Sequence, residues 1–185
     1  MASRWPPLPS VLIRRAITAP SGWTLVWRID NTGADGGNAN SLAVYLKTAG
    51  ATEPSSYTWT FSTSTGSTGG ISSFSGVDTT NPVDAEAGQN SPYGTAITAP
   101  SVATHYAGDM IVTSHAFSSG ATFTPPSGMT EVIDVSSDPV PAVAGESLQS
   151  NYRVQTAIGA TGTMTATASN DADDGNAHTL ALKAK

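Results

Sequence analysis

The chain has no cysteine among its 185 residues. This absence removes disulfides, thiol catalysis and zinc–thiolate sites from consideration, and it is compatible with any redox compartment. Charged residues make up only 12% of the chain, which is about half the share of an ordinary soluble domain. Because serine and threonine are abundant, we expect hydroxyl groups rather than ions to cover much of the surface.

Long apolar runs, helical patterns and a basic surface are also missing. No apolar run approaches the roughly 18 residues of a membrane-spanning helix, so we expect no membrane partner. No segment has an apolar stripe with a helical period over the length of a helix. The net charge of −6 and the pI near 4.7 argue against nucleic-acid binding, because that needs basic residues that neutralise phosphates.

The pattern that is present is typical of β-strands. Residues 42–47 alternate so that Leu42, Val44 and Leu46 share one face. The same period of two appears in residues 57–62, 110–117, 148–154, 163–168 and 179–183. Turn signals lie between these segments, among them 33–40, 91–92 and 170–176. The sequence therefore predicts an all-β fold, an antiparallel β-sandwich that is jelly-roll-like and has about ten strands.

The chain repeats itself at an offset of 106 residues. Residues 17–26 (ITAPSGWTLV) return as 123–132 (FTPPSGMTEV). We therefore expect one sandwich over residues 11–185, built from sequence-similar halves at about 11–87 and 105–185, with residues 88–104 joining them. The halves disagree in parity at one point, because Trp59 meets Thr165 rather than an apolar neighbour. A one-residue bulge would reconcile them.

Residues 1–10 do not share the alternating pattern, and we expect them to form an extended N-terminal arm. The run Trp5-Pro6-Pro7-Leu8-Pro9 favours a polyproline conformation that cannot enter the middle of a sheet. Three of the eight basic residues fall in the first fifteen positions. The arm is thus apolar and basic ahead of an acidic body, and the predicted partner contacts are Arg4, Trp5, Leu8, Arg14 and Arg15.

Catalytic signatures are weak. The histidines at 105, 115 and 178 form no cluster with the spacing of metal ligands, and no G-x-S-x-G elbow is present. The glutamates are scattered at the ends of predicted elements, which does not fit a glycosidase pair. We therefore expect a protein that is not an enzyme and that has no cofactor.

Two loops rich in Asp and Asn are weak candidates for calcium. Their carboxylates are Asp30 and Asp35 in one loop, and Asp171, Asp173 and Asp174 in the other. Tight turns select the same residue types, so no metal site is the first expectation. Exposed aromatic rings would indicate glycan binding, and Tyr93 and Trp5 are the rings expected outside the core.

Several strand-and-turn strings carry a resemblance to a known group. They are Pro20-Ser21-Gly22-Trp23-Thr24, 42–47 (LAVYLK), 57–60 (YTWT), 69–78 and 81–85. Together they resemble β-sandwich structural proteins of tailed phages and bacterial surfaces, and the likeness runs from about residue 19 to 185. In that group an extra strand with a Gly-Asp turn usually precedes the first Pro-x-Gly-Trp segment, like the strand with Gly108-Asp109 that precedes the second segment here. The first half lacks it, which favours completion of its sheet by an arm or a neighbour.

The resemblance implies a structural role at a virion or cell surface and transfers no catalytic residue. We expect a noncatalytic virion protein, a phage capsid decoration (cement) protein that docks through its N-terminal arm. The alternatives are a tail or head-fibre component, and a secreted carbohydrate-binding or adhesin module. The expected partners are other virion proteins and further copies of the chain, a trimer being one candidate, and a glycan stays open. The expected location is the virion surface, or otherwise the extracellular space or cell surface.

Overall fold

The computed structural model describes residues 16–32, 38–62 and 66–185. Within these ranges the backbone forms fourteen strands and no helix. In chain order they are β1 (Ile17–Thr18), β2 (Thr24–Thr32), β3 (Asn38–Leu46), β4 (Thr60–Phe61), β5 (Val83–Gly94), β6 (Ala96–Ala99), β7 (Ala103–Thr104), β8 (Asp109–Phe117), β9 (Phe123–Thr124), β10 (Thr130–Ser136), β11 (Ser147–Gln155), β12 (Gly159–Ala160), β13 (Met164–Ala168) and β14 (Asp173–Leu182). All their pairings are antiparallel, and nine of them have four or more residues. The prediction of an all-β antiparallel sandwich is confirmed.

The long strands stack in three layers around a five-stranded sheet of order β10-β11-β8-β14-β5. The three-stranded sheet β6-β13-β9 covers one face, and the hairpin β2-β3 covers the other. Neighbouring residues of β14 show this arrangement. Thr179 donates a hydrogen bond to the Pro100 carbonyl at 2.7 Å, whereas the His178 ring stacks on Trp27 of β2. The middle sheet is therefore covered on both faces. In the described ranges, nothing has the helical length and hydropathy that a membrane crossing requires.

The apolar core lies between the five-stranded and three-stranded sheets. Its buried members are Ile97, Ala99, Val102, Ile111, Phe117, Ala121, Phe123, Met164, Ala166, Ala168, Ala177 and Ala181. Six of these twelve are alanine, so the two sheets approach closely and the few large side chains fill the space between them. Phe117 meets Phe123 edge to face, with ring centroids 6.4 Å apart.

The opposite interface, under the hairpin, is more polar. Asn176 donates to the side-chain oxygen of Asn40 at 2.9 Å, and Asn31 donates to the Gly175 carbonyl at 3.3 Å. Leu42 and Leu180 are buried in the same interface. These two hydrogen bonds offset part of the cost of burying the asparagines, whereas the Asn40 amide nitrogen and the Asn176 side-chain oxygen have no partner among the described residues.

The repeat seen in the sequence is present in the strand pairing of the two hairpins. Thr24 pairs with Leu46 in the first hairpin, and Thr130 pairs with Tyr152 in the second, both partners shifted by 106. The register breaks between Leu25 and Trp27 in β2 and between Glu131 and Ile133 in β10, again at that offset. The bulge is therefore the same structural feature in both halves.

The turn before each bulged strand also repeats. Trp23 donates its N–H to the Pro20 carbonyl at 3.3 Å, and Met129 donates to Pro126 at 3.1 Å. Gly22 and Gly128 have φ angles of 85° and 75°, which is the left-handed conformation that a type II turn requires at this position.

The predicted parity shift appears in the shorter strands. Ile17 pairs with Phe61 in the first half, and its counterpart Phe123 pairs with Ala168 in the second. The offset is therefore 106 for the first strand of each pair and 107 for the second. The extra residue of the second half lies after β11, where the two hairpins still keep the same register, and before β13.

Three local predictions were wrong. Residues 88–104 were expected to be a connection, but β5 runs through the Ser91-Pro92 turn signal and β6 follows it. Pro92 is tolerated because β5 is an edge strand. The predicted turn at 170–176 ends early, because β14 already begins at Asp173. In residues 57–62, only Thr60–Phe61 forms a paired strand.

Candidate interaction surfaces

The predicted arm contacts Arg4, Trp5, Leu8, Arg14 and Arg15 lie outside the described residues, as does Asp35. Ala16, the first described residue, lies where the arm joins the body. The N–H of Ala16 donates to the Ser62 hydroxyl at 2.9 Å, and its carbonyl accepts from the Ser62 N–H at 3.0 Å. The Tyr45 hydroxyl donates to the Ile17 carbonyl at 3.2 Å. The arm therefore joins the body over the outer face of the hairpin β2-β3.

The two hairpins differ in what lies beside them. In the second half, β11 pairs with β10 on one side and with β8 on the other. In the first half, β3 pairs with β2, and no other strand within the described ranges pairs with it. At the offset of 106, the counterpart of β8 would be residues 3–11, which lie outside the described residues.

A groove runs beside this unpaired edge of β3. We call it the strand groove. Its floor is formed by β8 and β11, where Val112 and Leu148 are half-buried. Its far wall is the segment 66–76, in which Gly70 lies against Ile133 of β10 and Phe74 meets the Tyr152 ring at 5.7 Å. β3 lies over β14 and β8, whereas this segment lies over β11 and β10. From the spacing of strands in a sheet we infer a gap of roughly two strand spacings, about 10 Å, with room for one strand.

The β3 edge lacks the devices that keep other edges of this protein from pairing. The five-stranded sheet ends in β10, which has a bulge, Glu131 and Asp134, and in β5, which has Asp84 and Pro92. Charges, bulges and prolines are the usual protections of an exposed edge. By contrast, the nine residues of β3 (NANSLAVYL) include no charge and no proline. The edge is chemically suited to accept a further strand.

The outer face of the hairpin carries an aromatic cluster. Trp23 meets Tyr57 at 5.2 Å and Trp59 at 5.1 Å between ring centroids, and Tyr45 lies 6.3 Å from Trp59. All four side chains are half-buried. Their alternating strand positions predict that these rings lie in the main core, but they fill the space between the hairpin and the chain around β4. The sequence could not show this, because alternation indicates a covered face and not which layer covers it.

One ion pair holds the cluster at its rim. Lys47 and Tyr57 both donate to the Glu53 carboxylate, and Lys47 lies 5.0 Å from the centre of the Tyr57 ring. The hydrogen bonds from Lys47, Tyr57 and the Gly50 N–H lower the pKa of Glu53 to about 2. Because Lys47, Glu53 and Tyr57 bind one another, they stabilise the cluster and do not form an open binding site.

The calcium candidates do not converge. Asp30 lies within β2 and accepts hydrogen bonds from Arg28 at 2.9 Å and Ser41 at 2.7 Å. Asp173 accepts from Ser119, and the N–H of Asp174 donates to Asp173 at 2.8 Å. Asp171 is exposed in the preceding turn. Among the residues that the structure describes, no three or more His, Cys, Asp or Glu side chains are placed to hold a metal ion.

A buried pair of carboxyl groups lies at one end of the middle sheet. Asp84 accepts from the N–H of His105 at 2.7 Å and contacts its ring at 3.1 Å, while Asp109 accepts from the Ala184 N–H at 3.1 Å. Burial raises the pKa of Asp109, and its neighbour Asp84 adds to this. Burial alone would raise the pKa of Asp84 too, but hydrogen bonds from His105 and Asp109 hold it below its ordinary value. The pKa values of the two carboxyl groups are therefore shifted in opposite directions.

A second histidine–carboxylate pair borders an open cleft. His178 contacts Glu86 at 2.9 Å, and Glu86 lines a cleft of about 640 Å³ between the hairpin and β5. The His178 side chain is only 1% exposed and lies beneath Trp27, and burial lowers its pKa. The imidazole of His178 is thus shielded from the cleft, whereas Glu86 faces it. In the pair of His105 and Asp84 the histidine is the exposed member, since its side chain is 72% exposed.

The third histidine is structural. His115 is fully buried on β8, and its Nδ1 donates to the Ile97 carbonyl at 3.0 Å across the core. Burial lowers its pKa to about 4, so the ring is neutral near pH 7. Its role is to connect β8 with β6 by a hydrogen bond.

Tyr93 and a few aliphatic side chains are exposed at the ends of the long strands. Tyr93 is 63% exposed, as the sequence predicted, and Val143 and Ile158 are more exposed still. Comparison with known proteins adds no further site, since no protein-family model, no curated protein and no solved structure matches the chain.

Proposed function

We propose that this chain is a noncatalytic structural subunit of a virion, a phage capsid decoration protein that docks through its N-terminal arm. The observation that carries the proposal is a difference between the two hairpins within the described residues. The two hairpins have the same register and bulge, yet β11 has a third strand beside it and β3 has none among the described residues. An unprotected edge beside the entry of an apolar and basic arm is the arrangement of a protein that is completed by assembly.

The chemistry of the described residues supports contact rather than turnover. Catalysis by a histidine needs an oriented partner and access to a substrate. Of the three histidines, His178 and His115 are covered by protein, and His105 has its partner Asp84 tied to the backbone. Asp84 and Asp109 are buried, so both carboxyl groups are covered by protein and closed to a substrate.

A test of the proposal is co-sedimentation of the purified chain with assembled capsids that lack their decoration. We expect the full chain to pellet with capsids and the chain without residues 1–10 to stay in the supernatant. Arg4→Ala with Trp5→Ala and Leu8→Ala should lose binding as the deletion does, and Tyr93→Ala is the control that should keep it. Equal binding by the full and shortened chains would contradict arm docking.

A secreted glycan-binding module is the second candidate, and the exposed ring of Tyr93 is the observation that favours it. Binding to a glycan array that is lost in Tyr93→Ala, together with no binding to capsids, would replace the first proposal with this one. A tail or head-fibre role would instead give binding to purified tails or fibres and none to capsids.

A further inference from the structure

We propose that the strand groove beside β3 takes residues 10–15 of a second copy of this chain as an added β-strand. This rests on the proposed function in one respect, namely that the N-terminal arm makes contacts between molecules. The arm of one copy would bind in the strand groove of another copy, where backbone pairing with β3 would hold it.

The shape of the groove admits a single strand and excludes a second β3. The five-stranded sheet continues past β3 through β11 and β10, and the segment 66–76 lies on top of these strands. Two β3 edges that pair in antiparallel fashion are related by a two-fold axis normal to the hairpin β2-β3. In each copy the five-stranded sheet extends beyond the β3 edge, and this axis would place the two extensions in the same layer, where they would collide. One strand at the usual spacing of about 4.8 Å from β3 fits between β3 and the wall.

Residues 10–15 have the chemistry for this place. The segment is SVLIRR, which includes no proline, so each residue has an N–H that can donate to a ladder, and Val, Leu and Ile favour strands. Six residues in a strand span about 20 Å, which is enough to follow most of β3. The apolar side chains would cover the half-buried Val112 and Leu148 of the floor. Residues 5–9, with three prolines, are less suited because prolines cannot donate to a ladder.

Charge also favours the pairing of arm and body. Residues 1–15 include three arginines and no acid, so they have a charge of +3. Since the whole chain has −6, residues 16–185 have −9. Two bodies therefore repel each other at low salt, whereas the arm of one attracts the body of the next.

The same segment of the same chain is a poor occupant. Ile17 lies over the outer face of β3, where the Tyr45 hydroxyl reaches its carbonyl. Packed β layers are about 10 Å apart, so a chain that descended from that layer into the plane of β3 would use about three residues. Only residues 10–12 would then remain for pairing before Pro9. In an arm that extends from a neighbour, all six residues are available.

The first experiment measures self-association of the full chain without capsids by analytical ultracentrifugation, so that its failure is distinct from failure of capsid docking. Leu12→Pro removes an N–H in the middle of the pairing segment and should weaken self-association at least about tenfold. Ser3→Pro, outside the segment, should not change it. A wild-type chain that is monomeric at all concentrations, or a Leu12→Pro chain that associates as the wild type does, would overturn the proposal.

The second experiment uses the absence of cysteine in the chain. A Leu12→Cys chain is mixed with a chain bearing Ser41→Cys or Ala43→Cys in β3 and oxidised. We expect a disulfide-linked heterodimer with at least one β3 position and none with Val135→Cys, the control on β10. No heterodimer with either position would overturn the proposal. So would an intramolecular disulfide in a chain that carries Leu12→Cys and Ala43→Cys together, because it would place the arm on its own body.

Discussion

The indole of Trp27 stacks on the imidazole of His178, with ring centroids 5.0 Å apart and planes inclined by 24°. Trp27 belongs to the hairpin of the first half, and His178 belongs to the central region of the middle sheet. The contact therefore ties the two halves of the repeat together. Gly88 of β5 lies under the same indole, where a Cβ atom would be 2.1 Å from the ring.

This close approach predicts the effect of a single methyl group. Gly88→Ala should lower the free energy of unfolding by about 1–3 kcal/mol, because the hairpin must move away from the middle sheet. Gly94→Ala on the same strand is the matched control, since its nearest neighbour would be an oxygen at 3.8 Å. Urea denaturation of both variants checks the prediction. Equal stability of the two variants would contradict the position of Trp27.

Acid should destabilise the protein through its buried histidines. The pKa of His115 in the folded protein is about 4, against an ordinary value of 6.5. The unfolded chain therefore binds more protons than the folded one between these values, and stability falls as pH falls through that window. The slope from His115 approaches about 1.4 kcal/mol per pH unit, and His178, whose pKa is also lowered, adds in the same direction.

The measurement is the free energy of unfolding from pH 7 to pH 5, by urea titration. His115→Gln should reduce the slope, and Val143→Ala, which alters an exposed side chain with no ionisable group, should leave it unchanged. The same slope in the wild type and in His115→Gln would show that His115 is not buried in its neutral form.

The buried carboxyl pair predicts opposite effects for its two members. The raised pKa of Asp109 means that its ionisation opposes folding as pH rises above the ordinary value of 3.8. Asp109→Asn keeps an acceptor for the Ala184 N–H and loses the charge, so it should be as stable as the wild type at pH 4 and gain stability relative to it as pH rises.

Asp84→Asn is the counterpart. It weakens the acceptor of the His105 N–H, and it should destabilise the protein at pH 7 because the charged form of Asp84 is the one its hydrogen bonds favour. Thermal unfolding of both variants at pH 4 and pH 7 separates them. Destabilisation of Asp109→Asn that increases with pH would contradict the raised pKa of Asp109.

The parts of the fold that could be predicted from the sequence are those fixed by local pattern. The repeated Pro-Ser-Gly turn needs glycine at positive φ, and the alternation in residues 110–117 and 148–154 needs a strand with two distinct faces. These features are found as expected. The parity shift of the second half could also be predicted, since a one-residue offset moves apolar side chains to the wrong face.

The parts that were missed depend on non-local cover. β14 reads as a half-buried strand, yet it is buried on both faces because the hairpin covers one of them. Its polar residues form hydrogen bonds with partners distant in sequence, such as the bond from the Asn176 amide nitrogen to the Asn40 oxygen. Pro92 reads as a turn, but β5 is an edge, and a proline is tolerated there.

Part of the candidate site could also be predicted from the sequence and part could not. The composition of the arm can be read directly. The lack of a Gly-Asp strand before Trp23 predicts an incomplete first sheet. The strand groove itself could not be predicted, because β3, β8 and the segment 66–76 form it from three distant parts of the chain.

The most direct test of the central claim is an electron cryo-microscopy map of capsids incubated with the full chain. We predict ordered density for the three-layer β-fold on the capsid surface, with density that continues from Ala16 into contact with a neighbouring subunit. Capsids without added density, or bound molecules whose chain before Ala16 contacts no other subunit, would contradict the claim that this protein works by arm-mediated assembly.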